Sequence, residues 1–340
     1  MRALPFAALL LAGCATTSAP LATEAPMVAA TAETDPVDTA ADAADDPAIW
    51  RNPADPSKSL VIGTDKKAGI HVYSLAGKRL SFTPAERLNN VDLRETGARV
   101  IAAASDRADV ATAHVSLFTL DTAAAKLVPL GRFPVGAGEA YGMCLWTRAR
   151  DHALFGFIVL KDGRIDQVAI DLSGATPKVT TVRSIKLATQ SEGCVVDDRT
   201  GQLYVAEEDV GLWRFDADPS AATTATAIAR VDGKTLVADA EGLALAPSGR
   251  AGGYLVASSQ GDNAYTLYRL PGVTYAGRFR IGGGAIDGTS DTDGIDLMLG
   301  DFGPAYPRGL LVAQDGDNAP ATQNFKYVSW DAVRRALKLR

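Results

Sequence analysis

The chain has little of what metal-dependent redox enzymes and covalent phosphatases use. It carries three histidines, His71, His114 and His152, scattered through 340 residues. No histidine cluster is therefore on offer for zinc or copper. His71 alternates with Ile70 and Val72 and reads as a structural strand residue. There is no Arg-His-Gly stretch and no cysteine ahead of a Gly/Arg phosphate-cradling loop. No Walker motif, nucleophile elbow or dinucleotide fingerprint occurs either. Net charge is −6, which argues against nucleic acid as a partner. Helical periodicity is nearly absent until "WDAVRRALKL" at the very end, so an α/β fold lacks its helices.

A long hydrophobic run is also missing. The N-terminal "MRALPFAALLLAGCATTSAP" has one short apolar stretch after an arginine, too short to span a membrane and of the kind that directs export. Leu11-Ala12-Gly13-Cys14 resembles a bacterial lipobox. The expectation is a signal segment over 1–14 with lipid anchoring at Cys14, ordinary cleavage near a small residue being the alternative. Residues 15–32 then form an Ala/Thr/Pro-rich flexible tether. The folded domain is expected over 33–340, in an exported protein that is periplasmic, outer-membrane-anchored or secreted. Cys144 and Cys194 remain; two buried free thiols and a disulfide are both compatible with the sequence.

What is abundant is short β-rich runs bounded by Gly, Asp and Pro. One unit recurs: an apolar strand, small residues, a polar turn, and a second strand. Copies begin at Ser59, Arg99, Ala153, Gln202, Gly253 and Gly309, spaced by 40, 54, 49, 51 and 56 residues. Four-stranded propeller blades need about 40–50 residues each. The spacing predicts an all-β, six-bladed propeller with antiparallel blades around a central channel. A β-sandwich would not produce six matched units.

The repeat has a functional consequence. In every copy a polar cluster follows the same strand: Asp65-Lys66-Lys67, Ser105-Asp106-Arg107, Lys161-Asp162, Glu207-Glu208-Asp209, Ser259-Gln260 and Gln314-Asp315. Equivalent blade positions share one end of the ring, so these clusters are expected to converge at the channel mouth. Glu192 and Glu241 each stand before a glycine entering an apolar strand, with Asp239 nearby. A carboxylate there needs a partner or a cation. Oxygen-rich clusters without histidine or thiolate favour calcium. "AIDGTSDTDGIDLMLG" adds Asp287, Asp291, Asp293 and Asp296. It is neither an EF-hand nor a tandem β-roll repeat, but with "QDGDN" it is expected to wrap a calcium.

Nine segments together resemble the β-propeller phytases, also called alkaline phytases. They are "DAADDPAIW", "LNNVDLR", "AAASDR", "SEGCVVDD", "YVAEEDVGLW", "DAEGLALAPSG", "YLVASSQGDNAY", "DGTSDTDGID" and "LVAQDGDN…QNFK", in the family's order. The match covers about Glu33 to Trp330. The resemblance implies hydrolysis of inositol hexakisphosphate, as its calcium complex, by direct attack of calcium-bound water with no phosphoenzyme. It implies substrate-side calcium ligands at Glu33, Tyr141, Glu192, Glu208, Asp239, Glu241 and Gln260, with Asp45 and Asp46 nearby. Lys66, Arg107 and Lys161 would contact phosphate. Asp287, Asp315, Asp317 and Asn318 would hold a structural calcium, and Asn90 with Asp92 a further one. Asp162 and Asp317 stand where the family carries glutamate; Asp162 shortens one acidic arm of the phosphate site.

The implied enzyme is a calcium-dependent 3-phytase acting as a monomer on a small molecule. Another calcium-dependent propeller hydrolase, such as a lactonase or phosphodiesterase, is the second reading. A non-catalytic surface-binding propeller is the third. The acidic run Asp38 to Trp50 reads as the turn into a blade strand at Asp45-Asp46-Pro47. Which of Asp42, Asp45 and Asp46 touches metal is left open by the sequence.

Overall fold

In the computed structural model, which describes residues 24–339, the chain forms a ring of six four-stranded antiparallel blades. Blade 1 runs from the inner strand Ala44–Trp50 through Leu60–Asp65 and Gly69–Ser74 to the outer Arg79–Pro84. The inner strands of blades 2 to 6 are Leu88–Thr96, Ala140–Arg148, Ser191–Asp197, Ala240–Ser248 and Ile295–Leu299. Each packs on the next, and the sixth returns to the first. The expected propeller and its blade count are thus observed. The six repeats read from the sequence are the second and third strands of each blade, and their polar turns all open on one face.

Alternation builds the ring. Strand side chains point to opposite faces, and here both faces of a blade are covered by neighbouring blades. Leu60 and Ile62 face blade 2, whereas Val61 between them faces blade 6. Val100, Ala102 and Ala104 look back at blade 1; Ile101 and Ala103 look forward to blade 3. This explains why the middle strands read as continuous apolar runs. The result is one hydrophobic cluster per blade interface rather than a single central core.

The ring closes with N-terminal residues. Ala32–Glu33 is the fourth strand of blade 6, pairing antiparallel with Asn324–Ser329. Met27–Val28 adds a parallel strand to Thr274–Ile281 of blade 5. These residues lie inside the stretch expected to be a tether, so the folded body starts before residue 33. The signal segment and Cys14 fall outside the described residues. Helix Trp330–Ala336 follows the last strand and buries Trp330 and Val333. Among the described residues, no helix is long and apolar enough to cross a membrane.

Candidate active site at the channel mouth

Five inner strands carry a register shift at their first residues. The skipped positions are Asp45-Asp46, Asn89-Asn90, Tyr141, Glu192-Gly193 and Glu241-Gly242. In blade 6 the equivalent pair is Asp293-Gly294, just before the strand. A bulge leaves the extra residue out of the ladder and re-aims its side chain. In these five blades the same irregularity re-aims a side chain toward the mouth. Asp45 and Asp46 sit in the bulge of a fully buried strand, not in a turn leading to it.

The glycines have a steric reason. A β-carbon on Gly193 would lie 2.2 Å from the Glu241 carbonyl oxygen, and one on Gly242 2.6 Å from that of Asp293. Gly294 is pressed in the same way against Asp45 and Asp46. Amides complete the circle: Gly242 donates to Asp293 O at 2.8 Å, and Gly294 to Asp45 O at 3.0 Å. Each acid-glycine pair thus seats the next blade's acid.

Glu192, Glu208 and Glu241 come together, each offering a carboxylate oxygen within 4.8 Å of the others, and all three are buried. Glu208 enters from the turn of blade 4, and Gln190 Nε2 donates to its Oε2 at 2.8 Å. Burial, and then neighbouring carboxylates, hold Glu192 and Glu241 well above the ordinary carboxylate range and raise Glu208 as well. Burial raises Asp239 too, with Asp209 adding to it. Three buried oxygens in this region, Asp45 Oδ2, Glu208 Oε1 and Glu241 Oε2, accept no hydrogen bond. Crowded carboxylates with unmet oxygens are the donor set of a hard divalent cation.

Cations surround this trio. Lys66 Nζ lies 2.7 Å from Asp42, 3.0 Å from Asp45 and 2.9 Å from Asp293. Gln260 Nε2 holds the other Asp293 oxygen at 2.7 Å. Burial, then Asp45, push Asp293 up to about 7 despite Lys66. The Arg107 guanidinium and the Lys161 ammonium each lie 5.1 Å from the Tyr141 ring centroid. Burial, and the carboxylates around it, raise the Tyr141 phenol, which stays a donor. The mouth is an open cavity of about 640 Å³ whose lining includes Lys66, Tyr141, Glu208, Asp239, Glu241 and Gln260.

Other expected residues lie elsewhere. Asp46 Oδ2 accepts from Val91 N at 2.9 Å and Asp92 Oδ2 from Leu145 N at 2.8 Å. Both tie adjacent inner strands together. Asn90 instead stays at the site, its side-chain amide 2.9 Å from Glu192 Oε1 and from the Tyr141 carbonyl oxygen, beside Asn89. Asp162 is exposed at the rim, 3.6 Å from Lys186. Three of the four aspartates of residues 285–300 turn to different partners. Asp287 turns to Lys326, Asp293 to Lys66 and Gln260, and Asp296 accepts from Ile49 N at 2.8 Å. Asp291, at φ 45°, is exposed and takes part in none of these contacts.

The expected structural calcium set is regrouped. Lys326, fully buried, places its ammonium against Glu33, Asp287, Asp315 and Asn318. Glu33 therefore belongs to this group, whose Asn318 also lines the mouth cavity, and Asp317 is exposed along that lining. A lysine ammonium, not an open oxygen cage, stands at the centre. Burial nonetheless pushes Asp315 up to about 6, against the pull of Lys326.

Three participants were missed from the sequence. Asn89 donates to Glu192 Oε1 at 2.8 Å and accepts from Arg107 at 2.8 Å, bridging the anionic and cationic halves. Glu139 grips Arg107 at 2.7 and 2.9 Å. Gln190 positions Glu208. The only available signal was their closeness in sequence to bulge residues. Cys144 and Cys194 form a disulfide.

A six-bladed propeller whose mouth sets a carboxylate trio beside a lysine, an arginine and a second lysine is suited to oxyanion esters. A family model for the phytases matches residues 3–339. The chain belongs to the phytase family of phosphoric monoester hydrolases. It is 42% identical over 329 residues to a 3-phytase of Bacillus subtilis (strain 168), covering 91% of this chain and 85% of that protein. A chain in a crystal structure of the mitotic checkpoint complex superposes with a TM-score of 0.51 at 12% identity. That match covers 95% of this chain and 87% of the other, and it speaks to the fold alone.

Proposed function

We propose that this protein is a calcium-dependent phytase of the 3-phytase type, releasing phosphate from the calcium complex of inositol hexakisphosphate. The observation that carries the calcium is the Glu192–Glu208–Glu241 trio with its unmet oxygens. Asp45, Asp239, Gln260, Asp293 and Tyr141 complete its surroundings. Bound there, calcium would neutralise phosphoryl charge and make water more acidic.

The chain's own groups do the positioning. The substrate is a polyanion, and an acidic mouth without cations would repel it. Lys66, Arg107 and Lys161 supply fixed positive charge around the cavity and hold phosphoryl oxygens. Glu139 and the Tyr141 ring keep the guanidinium in place. Phosphoryl transfer asks mainly for positioning and charge neutralisation. In the reaction the oxygen of water forms the new P–O bond, the bond to the inositol oxygen breaks, and that oxygen takes up a proton. The Lys326 ammonium already occupies the centre of its acidic group, so no calcium is proposed there.

A lactonase would want a His–His or Asp–His base pair near a deep central calcium. His71 is instead buried in blade 1 between Tyr73 and Phe82. The deciding experiment measures phosphate release from phytate by purified protein, with calcium and after chelation. Absence of calcium-dependent release refutes the reading. Export and lipid anchoring at Cys14 are proposed from the sequence alone, and mass spectrometry of the mature N-terminus tests them.

A further inference from the structure

Adjacent inner strands are tied at matching places in the ring. Pro47, Val91, Met143, Cys194, Leu243 and Ile295 are the equivalent paired residues just past each bulge. One position further on stand Asp92, Cys144 and Asp296 in blades 2, 3 and 6. Asp92 reaches the amide of Leu145 in the next blade at 2.8 Å, and Asp296 reaches that of Ile49 at 2.8 Å. Cys144 does the same job covalently, bonding to Cys194 of blade 4. The disulfide thus occupies the place that blades 2 and 6 give to an aspartate staple, whereas blades 1, 4 and 5 carry Ala48, Val195 and Ala244 there.

Its location bears on the mouth. Tyr141 lies three residues before Cys144, and Glu192 two residues before Cys194. Between them the strands touch: a β-carbon on Gly142 would lie 1.8 Å from the Glu192 carbonyl oxygen. Tyr141 underlies Arg107 and Lys161, and Glu192 belongs to the carboxylate trio. The bond therefore sits beneath the seam between the two halves of the site. Both sulfurs are nearly buried and line the central channel under the mouth.

We propose that the Cys144–Cys194 disulfide is a positioning element of the site. It sets Glu192 relative to Tyr141, and breaking it lowers the affinity of the mouth for calcium without dismantling the propeller. Hydrophobic clusters at all six interfaces keep the fold when the bond is gone. A purely structural disulfide would change thermal stability alone. A positioning disulfide also changes how the carboxylates meet a cation.

The inference rests on the calcium-dependent reading above. The test compares wild type, the C144S/C194S double variant and Val333→Ala. Val333 is a buried residue of the C-terminal helix, packed in the cluster between blades 5 and 6, and serves as a control that loses stability only. Calcium binding is measured by titration calorimetry, and the calcium giving half-maximal phosphate release is measured separately, well below every melting transition. We expect the double variant to need about tenfold more calcium by both readouts, the lower end of what loss of supporting groups around a metal costs. Val333→Ala should melt earlier with calcium binding unchanged.

If the double variant does not fold, folded wild type reduced with a dithiol, its free thiols counted, replaces it. Unchanged calcium affinity on loss of the bond overturns the inference alone. An equal loss of affinity in Val333→Ala overturns it too. Wild type that takes up no calcium overturns the proposed function and this inference together.

Discussion

The carbonyl oxygen of Glu192 lies 1.8 Å from where a β-carbon on Gly142 would be. Nothing at this contact is flexible, because backbone meets backbone. Gly142→Ala must push blades 3 and 4 apart or tilt Glu192. Overpacking of this kind costs about 1–3 kcal/mol. The expected outcome is a melting temperature several degrees lower and a marked loss of phosphate release. A variant with normal activity and melting would show that the seam is looser than drawn.

Glu208→Gln separates the site from the scaffold. Glu208 is raised by burial first and by Asp239 and Asp209 after it, so removing its charge relieves repulsion in calcium-free protein. The variant should lose calcium-dependent phosphate release almost completely. Its melting temperature without calcium should be equal to wild type or higher. A sharp fall in that temperature would make Glu208 a structural residue.

Calcium-free stability should depend on pH with a definite sign. Asp293 and Asp296 are both raised to about 7, chiefly by burial. An unfolded aspartate releases its proton near pH 4. Between about pH 4 and 7 the native state therefore binds protons that the unfolded chain does not, and stability falls as pH rises through that window. Melting of calcium-stripped protein across this range checks it. Asp296→Asn should flatten the slope. A stability that rises through the window would contradict the assignment.

Lys326 tests the regrouped acidic cluster. Removing one partner of a buried ion pair costs about 3–5 kcal/mol, because the other charge is left without compensation. Lys326→Met should therefore lower the denaturation midpoint by that equivalent, in calcium and in chelator alike. If added calcium restores the loss in full, a cation can take the ammonium's place among Glu33, Asp287 and Asp315.

Added calcium should raise the melting temperature of wild type, since an ion held only by the native state stabilises it by mass action. Glu208→Gln should lose most of that rise. Identical melting curves with and without calcium would speak against the mouth as a cation site.

The six-fold repeat was legible in the sequence because each blade must bury both faces. That requirement writes continuous apolar runs such as "LVIG", "VIAAA" and "LVASS" at similar intervals, with polar turns between them. Convergence of Lys66, Arg107, Lys161, Glu208 and Gln260 on one face followed from the repeat alone. Glu192 and Glu241 stood out because a carboxylate before glycine is awkward at the head of a buried strand.

What the sequence could not decide was which acids share a place. Asp287, Asp291, Asp293 and Asp296 lie within ten residues, yet bulges, turns and strand register send them to different partners. Asp46 and Asp92 look like ligands in a one-dimensional reading, but they accept backbone amides of the next blade. The pairing of Glu33 with Lys326, and of Cys144 with Cys194, joins segments far apart in the chain. Local composition determined the strands, the repeat and the class of chemistry. Only ring closure decided the partners, because the distance between two side chains at the mouth is set by how neighbouring blades pack.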